Sequence, residues 1–461
     1  MRLTASKLPG QIIKQLLPAY SPAEPPAVPG SQPVAAGGSP PAADERLGMR
    51  PQAARGAQPA LAKSSSSGEG AGSGRAPQAS PYGSLINKEA QRLAKFERIL
   101  SAPIVDIAAL RDASWSGIPP QCRMTAWQQL LGYLPVNREW RAATLQRKRR
   151  EYSEAVPAFF DVDDSERSEY QRAIFHQILI DVPRTCSSSA LFQHKTVQRS
   201  LERILYIWAL RHPASGYVQG INDLVLPFFL VFLTGALGTH AARGADPGAP
   251  GEAPARGAAP PPPLLVSEAE LDVDAIPAEL LADVEADSYW CLSKLLNVIQ
   301  DHYTFAQPGI QRMVFRLKEI VQRIDRPLHA HLASQGIQYI QFAFRWMNCL
   351  LMRELALPMI SRMWDTYLAE GAADIDSPLS AAKGSPADES FAVLHVYVCA
   401  ALLLKWSDKL QQMQFQELVM FLQHLPTAEW ELAELEELLS QAYLWKELYH
   451  NSQAHLQSQT E

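Results

Sequence analysis

Hydrophobic residues recur at helical spacing through residues 85–449, with charged residues on the opposite faces. Residues 194–212 are the clearest case, because their apolar positions follow the i, i+4, i+7, i+8, i+11 spacing of a core-facing stripe. These positions are Val197, Leu201, Ile204, Leu205 and Trp208. We expect this helix to end at His212-Pro213. The apolar–polar alternation typical of β-strands is nearly absent, so the pattern predicts an all-α fold.

The composition divides the chain into ordered and low-complexity parts. Residues 1–84 are mostly rich in Ala, Pro, Gly and Ser, which predicts a disordered tail that either carries linear motifs and adaptor contacts or only solubilises the protein. A leading helix is expected over residues 85–110, a helical domain over 111–449 and a C-terminal tail over 450–461. Residues 235–277 and 370–389 are predicted to be flexible insertions within one domain, because similar helices resume after each.

One apolar stretch, LVLPFFLVFLTGALG at residues 224–238, raises the possibility of a membrane span. It is shorter than the roughly 20 residues that cross a bilayer, and it contains Pro227. We therefore favour a buried core helix over an integral membrane protein.

Charge and cysteine content narrow the class of protein. The formal net charge is −6 and the pI is about 6.0, so no global basic field favours nucleic acid as a partner. The five cysteines are scattered, which is typical of buried thiols in a reducing cytoplasm, and residues 1–20 lack the continuous apolar core expected of a secretory signal. The basic run at residues 146–151 is interpreted as a solvated helix face, with a lipid-facing or nuclear-import patch as the alternative.

Common enzyme signatures are missing from the sequence: it has no P-loop, GxSxG elbow, HExxH or GxGxxG motif. His329 and His331 have no acidic or cysteine partners at ligand spacing, so no metal site is expected. Three short strings stand out instead.

The first string, GIPPQCRMTAW, begins with a Gly-Pro turn at a helix start. Arg123 and Trp127 lie one turn apart on one face of that helix. The favoured interpretation from these residues alone is structural, with Arg123 stacked on Trp127.

The second string is ILIDVPR, residues 178–184. Pro183 is expected to force Val182 out of the α region, so that the helix ends by Asp181 and Arg184 lies on a loop. Arg184 then either projects into a neighbouring site or pairs with a core carboxylate such as Asp181.

The third string, YVQGIND, follows the breaker HPASG. Gly216 and Gly220 allow backbone segments to approach closely. Gln219 is expected in a loop or first helical turn, where it is available for chemistry or only satisfies backbone groups.

In order, these strings have the patterns G-[IV]-P-x3-R-x3-W, I-x2-D-x2-R and Y-x-Q-G-x-N. The ordered set resembles the three fingerprint motifs of the TBC domain, the family of Rab GTPase-activating proteins. The strings WSGIP, RHPASGYVQGINDL, YTFAQPGIQ, QFAFRWMNCLLMREL and RMWDTYL are similar to its member 22 subgroup. The resemblance covers residues 111–449, although the 235–277 insertion differs from the shorter acidic segment expected there.

The resemblance implies a function in trans. Arg184 matches the family's arginine finger and Gln219 its glutamine finger, which orients the attacking water in a Rab GTPase. Further matched positions are expected to support the fingers: Asp181, Tyr217, Asn222, Asp223, Arg123 and Trp127. GTP and Mg²⁺ would belong to the partner, so the chain is expected to need no cofactor or metal and to have no hydrolase activity of its own.

Two further expectations accompany this resemblance. The alternative function is a non-catalytic Rab-binding or scaffold module on endomembranes. The subgroup resemblance implies a cytoplasmic protein that associates peripherally with Golgi or related membranes in vesicle trafficking.

Overall fold

The computed structural model describes residues 81–244, 271–371 and 386–450, which fold into α-helices joined by turns. Within these ranges there is no β-strand, and one isolated antiparallel bridge joins Ile104 to Asn137. The all-α prediction is therefore confirmed. The first nine helices are α1 (Pro81–Ser101), α2 (Ile107–Ser114), α3 (Pro120–Leu130), α4 (Arg138–Ala155), α5 (Glu169–Asp181), α6 (Ala190–Gln193), α7 (Lys195–Arg211), α8 (Ile221–Leu224) and α9 (Leu226–Gly244).

The second half of the fold continues in the same style. Its helices are α10 (Ala278–Val298), α11 (Pro308–Ile324), α12 (Arg326–Ser334), α13 (Ile340–Asn348), α14 (Leu357–Gly371), α15 (Pro386–Leu404), α16 (Ser407–Leu410), α17 (Phe415–Gln423) and α18 (Leu432–Tyr449). Short 3₁₀ turns occupy Val182–Arg184, Val273–Ala275 and Gln300–His302, and a π-helical turn follows α4 at Val156–Phe160.

The helix at residues 194–212 confirms its predicted stripe. All five apolar positions of that stripe are buried in α7. The helix ends at Arg211, with His212 as its C-cap, and it packs against α5 and α10.

The apolar stretch after Asn222 lies in the core. Phe228, Phe229 and Phe232 are fully buried, and α9 packs against α3, α10 and α14. The prediction that this stretch is too short to cross a membrane is wrong, because the apolar segment extends beyond residues 224–238. Residues Ile221–Ala241, 21 in all, are long and apolar enough to cross a membrane, and half of the 18-residue window that meets this criterion is buried inside the fold. The contacts of α9 with three helices agree with the core-helix interpretation.

Several predicted boundaries need correction. The leading helix over residues 85–110 is two helices: α1 starts at Pro81, inside the predicted tail, and ends before Pro103, which cannot donate a helical hydrogen bond. The Asp106 side chain then accepts from the Ala109 N–H (3.0 Å) to begin α2. Residues 235–244 are helical rather than inserted loop, and α14 and α15 likewise extend into the predicted 370–389 insertion. The other parts of the predicted tails and insertions lie outside the described residues.

Residues 338–355 have apolar residues at helical spacing in the sequence, which predicts one helix, but they do not form one continuous helix. Helix α13 ends at Asn348, and Leu350 and Leu351 follow with φ of +48° and +61°. Both leucines are fully buried, so this turn lies inside the core. Periodicity alone did not predict this turn, because its residues are as apolar as those of the helix.

The basic run at residues 146–151 is only partly solvated, which corrects its interpretation. Arg149 forms ion pairs with Asp283 (2.5 Å) and Asp287 (2.7 Å) of α10. Lys148 lies 3.6 Å from the ring centroid of Trp290 on the same helix. These two basic residues therefore fasten α4 to α10.

The two histidines of the 329–331 pair contact different partners. His329 Nδ1 lies 3.2 Å from the Tyr339 hydroxyl, whereas His331 Nε2 lies 2.9 Å from the Met413 carbonyl. Within the described ranges, no group of three or more His, Cys, Asp or Glu residues is arranged to hold a metal ion.

Candidate functional site

The arginine segment begins with a firmly capped helix. The Ser168 hydroxyl accepts from the Gln171 N–H (3.2 Å), and the Gln171 side chain accepts from the Ser168 N–H (2.8 Å), which is a capping box at the start of α5. The helix ends at Asp181 and continues directly into the 3₁₀ turn Val182–Arg184. Arg184 is the last residue of this turn, and its side chain is exposed.

The expected effect of Pro183 on its neighbour is wrong, although the predicted helix end is right. Val182 stays in the right-handed helical region, with φ −57° and ψ −48°. The α-helix ends because Pro183 has no N–H to continue the hydrogen-bond ladder, while its fixed φ suits the first turn of a 3₁₀ helix. Arg184 therefore occupies a defined turn rather than an open loop.

The glutamine segment is a turn between α7 and α8. Gly216 and Gly220 adopt φ of +62° and +111°, which favour glycine. Gln219 is exposed, while Tyr217, Val218 and Gly220 around it are buried. The interpretation of Gln219 as a buried amide that only satisfies backbone groups is therefore wrong.

A buried network connects the two segments. The Tyr217 hydroxyl lies 3.1 Å from Asp181 Oδ2 and 3.2 Å from Asn222 Oδ1, so its one proton is shared between two acceptors. Asn222 Nδ2 donates to Thr185 Oγ1 (2.8 Å), and that hydroxyl donates to the Asp181 carbonyl (2.8 Å). Gln177 Nε2 also donates to Asp181 Oδ2 (3.0 Å).

Tyr217 is the proton donor in this network. Burial, and then the neighbouring Asp181 carboxylate, raise the pKa of Tyr217 well above its ordinary value. The phenol is therefore neutral at physiological pH and acts as a donor. Asp181 accepts this bond. The buried residues next to the two exposed side chains therefore form one connected hydrogen-bond network.

Asp223 anchors the glutamine segment from the other side. Its Oδ2 atom accepts from Arg353 Nε (3.1 Å) and Nη2 (2.9 Å), and the Cys349 thiol lies 3.4 Å from the same oxygen. The Asp223 side chain is 6% exposed, whereas that of Arg353 is 41% exposed. Arg353 thus holds a buried carboxylate while presenting part of its guanidinium to the surface.

These segments enclose a cleft of about 830 Å³. Its lining comes from the arginine segment and the serine-rich turn after it, from the glutamine segment, and from residues 352–358, which run from the turn after α13 into the start of α14. Arg184, Gln219, Asn222, Asp223 and Arg353 all line it. No hydrogen-bond or ion-pair partner for the side chains of Arg184 and Gln219 occurs in the part of the chain that the structure describes. The predicted pairing of Arg184 with Asp181 does not form.

The first string lies elsewhere. Arg123 Nε lies 3.1 Å from Asp365 Oδ1, Trp127 Nε1 donates to the same oxygen (2.7 Å), and the Ile118 N–H donates to Oδ2 (2.8 Å). Asp365 is fully buried in α14. Arg123 and Trp127 therefore converge on a shared carboxylate rather than stacking on each other, and neither lines the cleft.

This cluster is connected to the cleft through helix α14. Leu357 and Pro358, at the start of α14, line the cleft, and Asp365 lies two turns further along the same helix. Arg123 and Trp127 thus fix α14 against α3, at a distance from the two exposed side chains. Their expected role as supports for the fingers stays a prediction, and any such support would act through α14.

Comparisons with known proteins show the family to which the chain belongs. The sequence model of the Rab-GTPase-TBC domain family matches residues 120–411, more than half of the chain. The chain belongs to this family. The TBC domain resemblance deduced from the three strings is confirmed, and with it the TBC fold.

Individual relatives agree with this assignment. GTPase-activating protein gyp1 of Schizosaccharomyces pombe is 47% identical over 370 residues, which are 80% of this chain and 64% of the relative. TBC1 domain family member 22A of Homo sapiens is 44% identical over 376 residues, 80% of this chain and 63% of the relative. The chain therefore matches less than two thirds of the length of these curated relatives.

A solved structure shares the TBC fold. The crystal structure of the Ypt/Rab-GAP domain of Gyp1p has 43% sequence identity and a TM-score of 0.66, and the match covers 78% of this chain and 99% of that domain. Together with the member 22A relative, it confirms the predicted subgroup similarity.

Sequence reasoning missed three residues of this TBC domain: Arg353, Asn348 and Asp365. All three lie in strings that carry the family resemblance, NCLLMRE and RMWDTYL. Each is a polar residue within a largely apolar stretch of sequence, which is the signal that could have marked it, because a polar group among apolar neighbours requires a partner.

Proposed function

We propose that this protein is a GTPase-activating protein for a small GTPase of the Rab class, and that Arg184 and Gln219 complete the partner's catalytic site. One observation carries the proposal. Both side chains are exposed on one cleft. The buried hydrogen-bond network next to them does not involve the Arg184 guanidinium or the Gln219 side-chain amide. The name of the fission yeast relative, GTPase-activating protein gyp1, supports the same function.

The two residue types suit the chemistry of phosphoryl transfer. An arginine guanidinium is a cation whose planar donors match phosphate oxygens, so Arg184 can neutralise charge that develops on the transferred group. The Gln219 amide both donates and accepts, as orienting a water molecule requires. Neither side chain exchanges a proton or forms a covalent bond in this scheme. The GTP and Mg²⁺ are held by the partner.

The shape of the site favours a protein-bound substrate over a free small molecule. The cleft is open, and within the described residues its charged groups beside Arg184 are the paired Asp223 and Arg353 and the hydrogen-bonded Asp181. A convex GTPase surface that carries its own nucleotide can enter such a cleft.

The test is a hydrolysis screen with purified full-length chain and a panel of GTP-loaded Rab proteins. Wild-type protein should accelerate at least one of them. Arg184→Ala should reduce kcat by about 10³- to 10⁵-fold, the range attributed to an arginine supplied in trans. Arg184→Lys, which keeps the charge but loses the planar fork, should recover only a small part of the rate.

The matched control for these variants is Arg150→Ala, because Arg150 is an exposed arginine of α4 whose one ion pair is with Glu154 on the same helix. It should leave hydrolysis unchanged. Circular dichroism should show equal helicity and equal melting temperatures for Arg184→Ala and the wild type. Full activity of a folded Arg184→Ala protein would falsify the assignment of Arg184.

A second function, a non-catalytic Rab-binding scaffold, makes a different prediction in the same screen. It requires GTP-dependent Rab binding with unchanged hydrolysis across the panel. We favour catalysis because both exposed side chains are of the type that hydrolysis in trans requires.

We further propose that the protein works in vesicle trafficking, in the cytoplasm and peripherally at the Golgi or related endomembranes. This proposed location rests on the similarity to the member 22 subgroup. Imaging of the tagged full-length protein beside Golgi markers tests it, and a uniformly diffuse signal would contradict the membrane association.

A further inference from the structure

The peptide group between Gln219 and Gly220 is held at both of its polar atoms. The Gln219 carbonyl accepts from Asn348 Nδ2 (2.8 Å), and the Gly220 N–H donates to Asn222 Oδ1 (2.9 Å). These atoms belong to one planar unit, so two hydrogen bonds from different segments fix the orientation of the plane. Because this plane is attached to the Gln219 Cα, it also sets the direction in which the side chain leaves the backbone.

Asn348 is itself rigidly placed. It is the last residue of α13 and is buried. Its backbone carbonyl accepts from the Tyr303 hydroxyl (2.7 Å), and its Oδ1 accepts from Gln307 Nε2 (3.4 Å). Its side-chain amide is thus oriented by one partner on the oxygen and one on the nitrogen.

The backbone around Asn348 is unusual for the residue types present. Leu350 and Leu351, which follow it, adopt left-handed φ angles that cost energy for residues other than glycine. Their complete burial offsets that cost. The turn brings Asn348 and Arg353 to the same side of the chain, where they bind the Gln219 carbonyl and the Asp223 carboxylate respectively.

Gly220 leaves the space that the Asn348 side chain occupies. An ideal Cβ at position 220 would lie 2.1 Å from Asn348 Nδ2, and the φ of +111° is one that side chains rarely adopt. The amide of Asn348 therefore occupies the space that any side chain at position 220 would need. Close approach of the two segments depends on this glycine.

We infer that Asn348 is a positioning residue for Gln219, acting through the Gln219–Gly220 peptide group. This inference rests on the proposed function of Gln219. The Gln219 side chain has no hydrogen-bond partner among the described residues, so the backbone alone orients it before the GTPase arrives. A displacement of about 1 Å in a catalytic group can cost about 10²-fold in rate, so the second hydrogen bond to this plane has a kinetic consequence.

A kinetic double-mutant cycle tests the inference with full-length protein and the Rab that the wild type activates. Asn348→Ala should lower kcat by about 10- to 100-fold, with the KM for the GTP-loaded Rab unchanged. In a Gln219→Ala background, Asn348→Ala should change kcat by less than about twofold, because both changes remove the same oriented amide. An equally large loss in both backgrounds would overturn the role through Gln219.

The isosteric variant Asn348→Asp keeps the volume and the acceptor for Gln307 but removes the donor to Gln219. It should reduce kcat at least as much as Asn348→Ala, since a carboxylate would face the Gln219 carbonyl. A fully active Asn348→Asp protein overturns the inference even if Asn348→Ala fails to fold.

Hydrogen–deuterium exchange provides a readout independent of hydrolysis. In the wild type, Asn222 protects the Gly220 N–H, and loss of the Asn348 bond should speed exchange in peptides that cover residues 217–222. Unchanged exchange in folded Asn348→Ala protein contradicts the inference.

The matched control is Gln128→Ala. Gln128 is also a buried amide, and its Nε2 donates one long-range hydrogen bond, to Asp287 (3.0 Å), but it does not line the cleft. It should lower the melting temperature without changing kcat or the exchange of residues 217–222. A wild-type protein that activates no Rab overturns the proposed function, whereas an active wild type with an unaffected Asn348→Ala overturns only the role of Asn348.

Discussion

The hydroxyl of Tyr217 lies 3.1 Å from Asp181 Oδ2, and this hydrogen bond connects the segment that carries Gln219 to the segment that carries Arg184. Both residues are buried, and the two side chains that they support are exposed. The relative position of the proposed fingers is therefore set below the surface of the cleft rather than by contact between them.

Removing this connection should affect stability and rate together. Tyr217→Phe deletes the hydroxyl and leaves Asp181 Oδ2 with the Gln177 amide alone. We expect the free energy of unfolding to fall by about 1–3 kcal/mol, and kcat for Rab GTP hydrolysis to fall because the two segments are less tightly coupled. Urea denaturation and single-turnover hydrolysis measure the two effects.

Tyr152→Phe is the matched control for that substitution. The Tyr152 hydroxyl is also buried and lies 2.7 Å from a carboxylate oxygen, that of Glu285, but this pair joins α4 to α10 away from the cleft. It should destabilise the protein by a comparable amount and leave kcat unchanged. Equal kinetic losses in both variants would mean that kcat follows global stability.

The buried carboxylate of Asp365 should be essential for stability. Asp365→Ala leaves the Arg123 guanidinium, the Trp127 indole and the Ile118 N–H without their shared acceptor. Breaking a buried ion pair by removing one partner typically costs about 3–5 kcal/mol. We expect a correspondingly lower denaturation midpoint, measured by circular dichroism.

The comparison for Asp365 is Glu154→Ala, which removes an ion pair with Arg150 whose side chains are 71% and 68% exposed. Such surface pairs contribute little, so its midpoint should equal that of the wild type. If the Asp365→Ala midpoint were also unchanged, the importance assigned to the cluster of the first string would be wrong.

His395 should make the protein less stable in acid. Its Nδ1 lies 2.8 Å from the Tyr367 hydroxyl and its Nε2 lies 3.0 Å from the Trp346 carbonyl, so the neutral ring is held with its proton on Nε2. Burial lowers the pKa of His395 to about 3, from an ordinary value of 6.5. Between pH 3 and pH 6.5, His395 therefore binds a proton in the unfolded chain but not in the folded protein.

The sign of the effect follows from this difference. The stability contribution is complete above pH 6.5 and is lost progressively as the pH falls towards 3. At pH 5 the loss is about 2 kcal/mol relative to neutral pH. His395→Gln should have a smaller slope of unfolding free energy against pH, by about one proton. An identical slope in wild type and variant would contradict the assignment.

Cys186 should react with maleimides before the other cysteines. It lines the cleft and is half-buried, which corrects the prediction that every thiol is buried. The four remaining thiols are buried, and burial raises the pKa of Cys122 to about 11. We expect one fast-reacting thiol by intact mass spectrometry, and loss of Rab activation once a bulky group occupies the cleft beside Arg184.

Cys186→Ser provides the control for alkylation. This variant should hydrolyse GTP on the Rab normally and should resist inactivation by the reagent. Fast labelling of the variant would show that another thiol is the reactive one, and full activity of the labelled wild type would show that Cys186 lies outside the surface that the GTPase contacts.

Local signals in the sequence predicted much of the fold. The apolar stripe of α7 and the helix end at Asp181 depend on residues within a few positions of one another. For the same reason the turn glycines Gly216 and Gly220 could be identified. Boundaries were less accurate where a helix continued through Gly- and Ala-rich sequence, as α9 does to Gly244.

The sequence by itself therefore determined the helical class and the two segments that carry Arg184 and Gln219. Only the tertiary structure decided what holds them, because Asn348 reaches the Gln219 carbonyl across 129 residues of sequence and Trp127 reaches Asp365 across 238. Periodicity reports which face of a helix is buried, but it does not report which distant polar group meets it. That choice depends on how the helices pack, since each buried donor must find its acceptor in the folded chain.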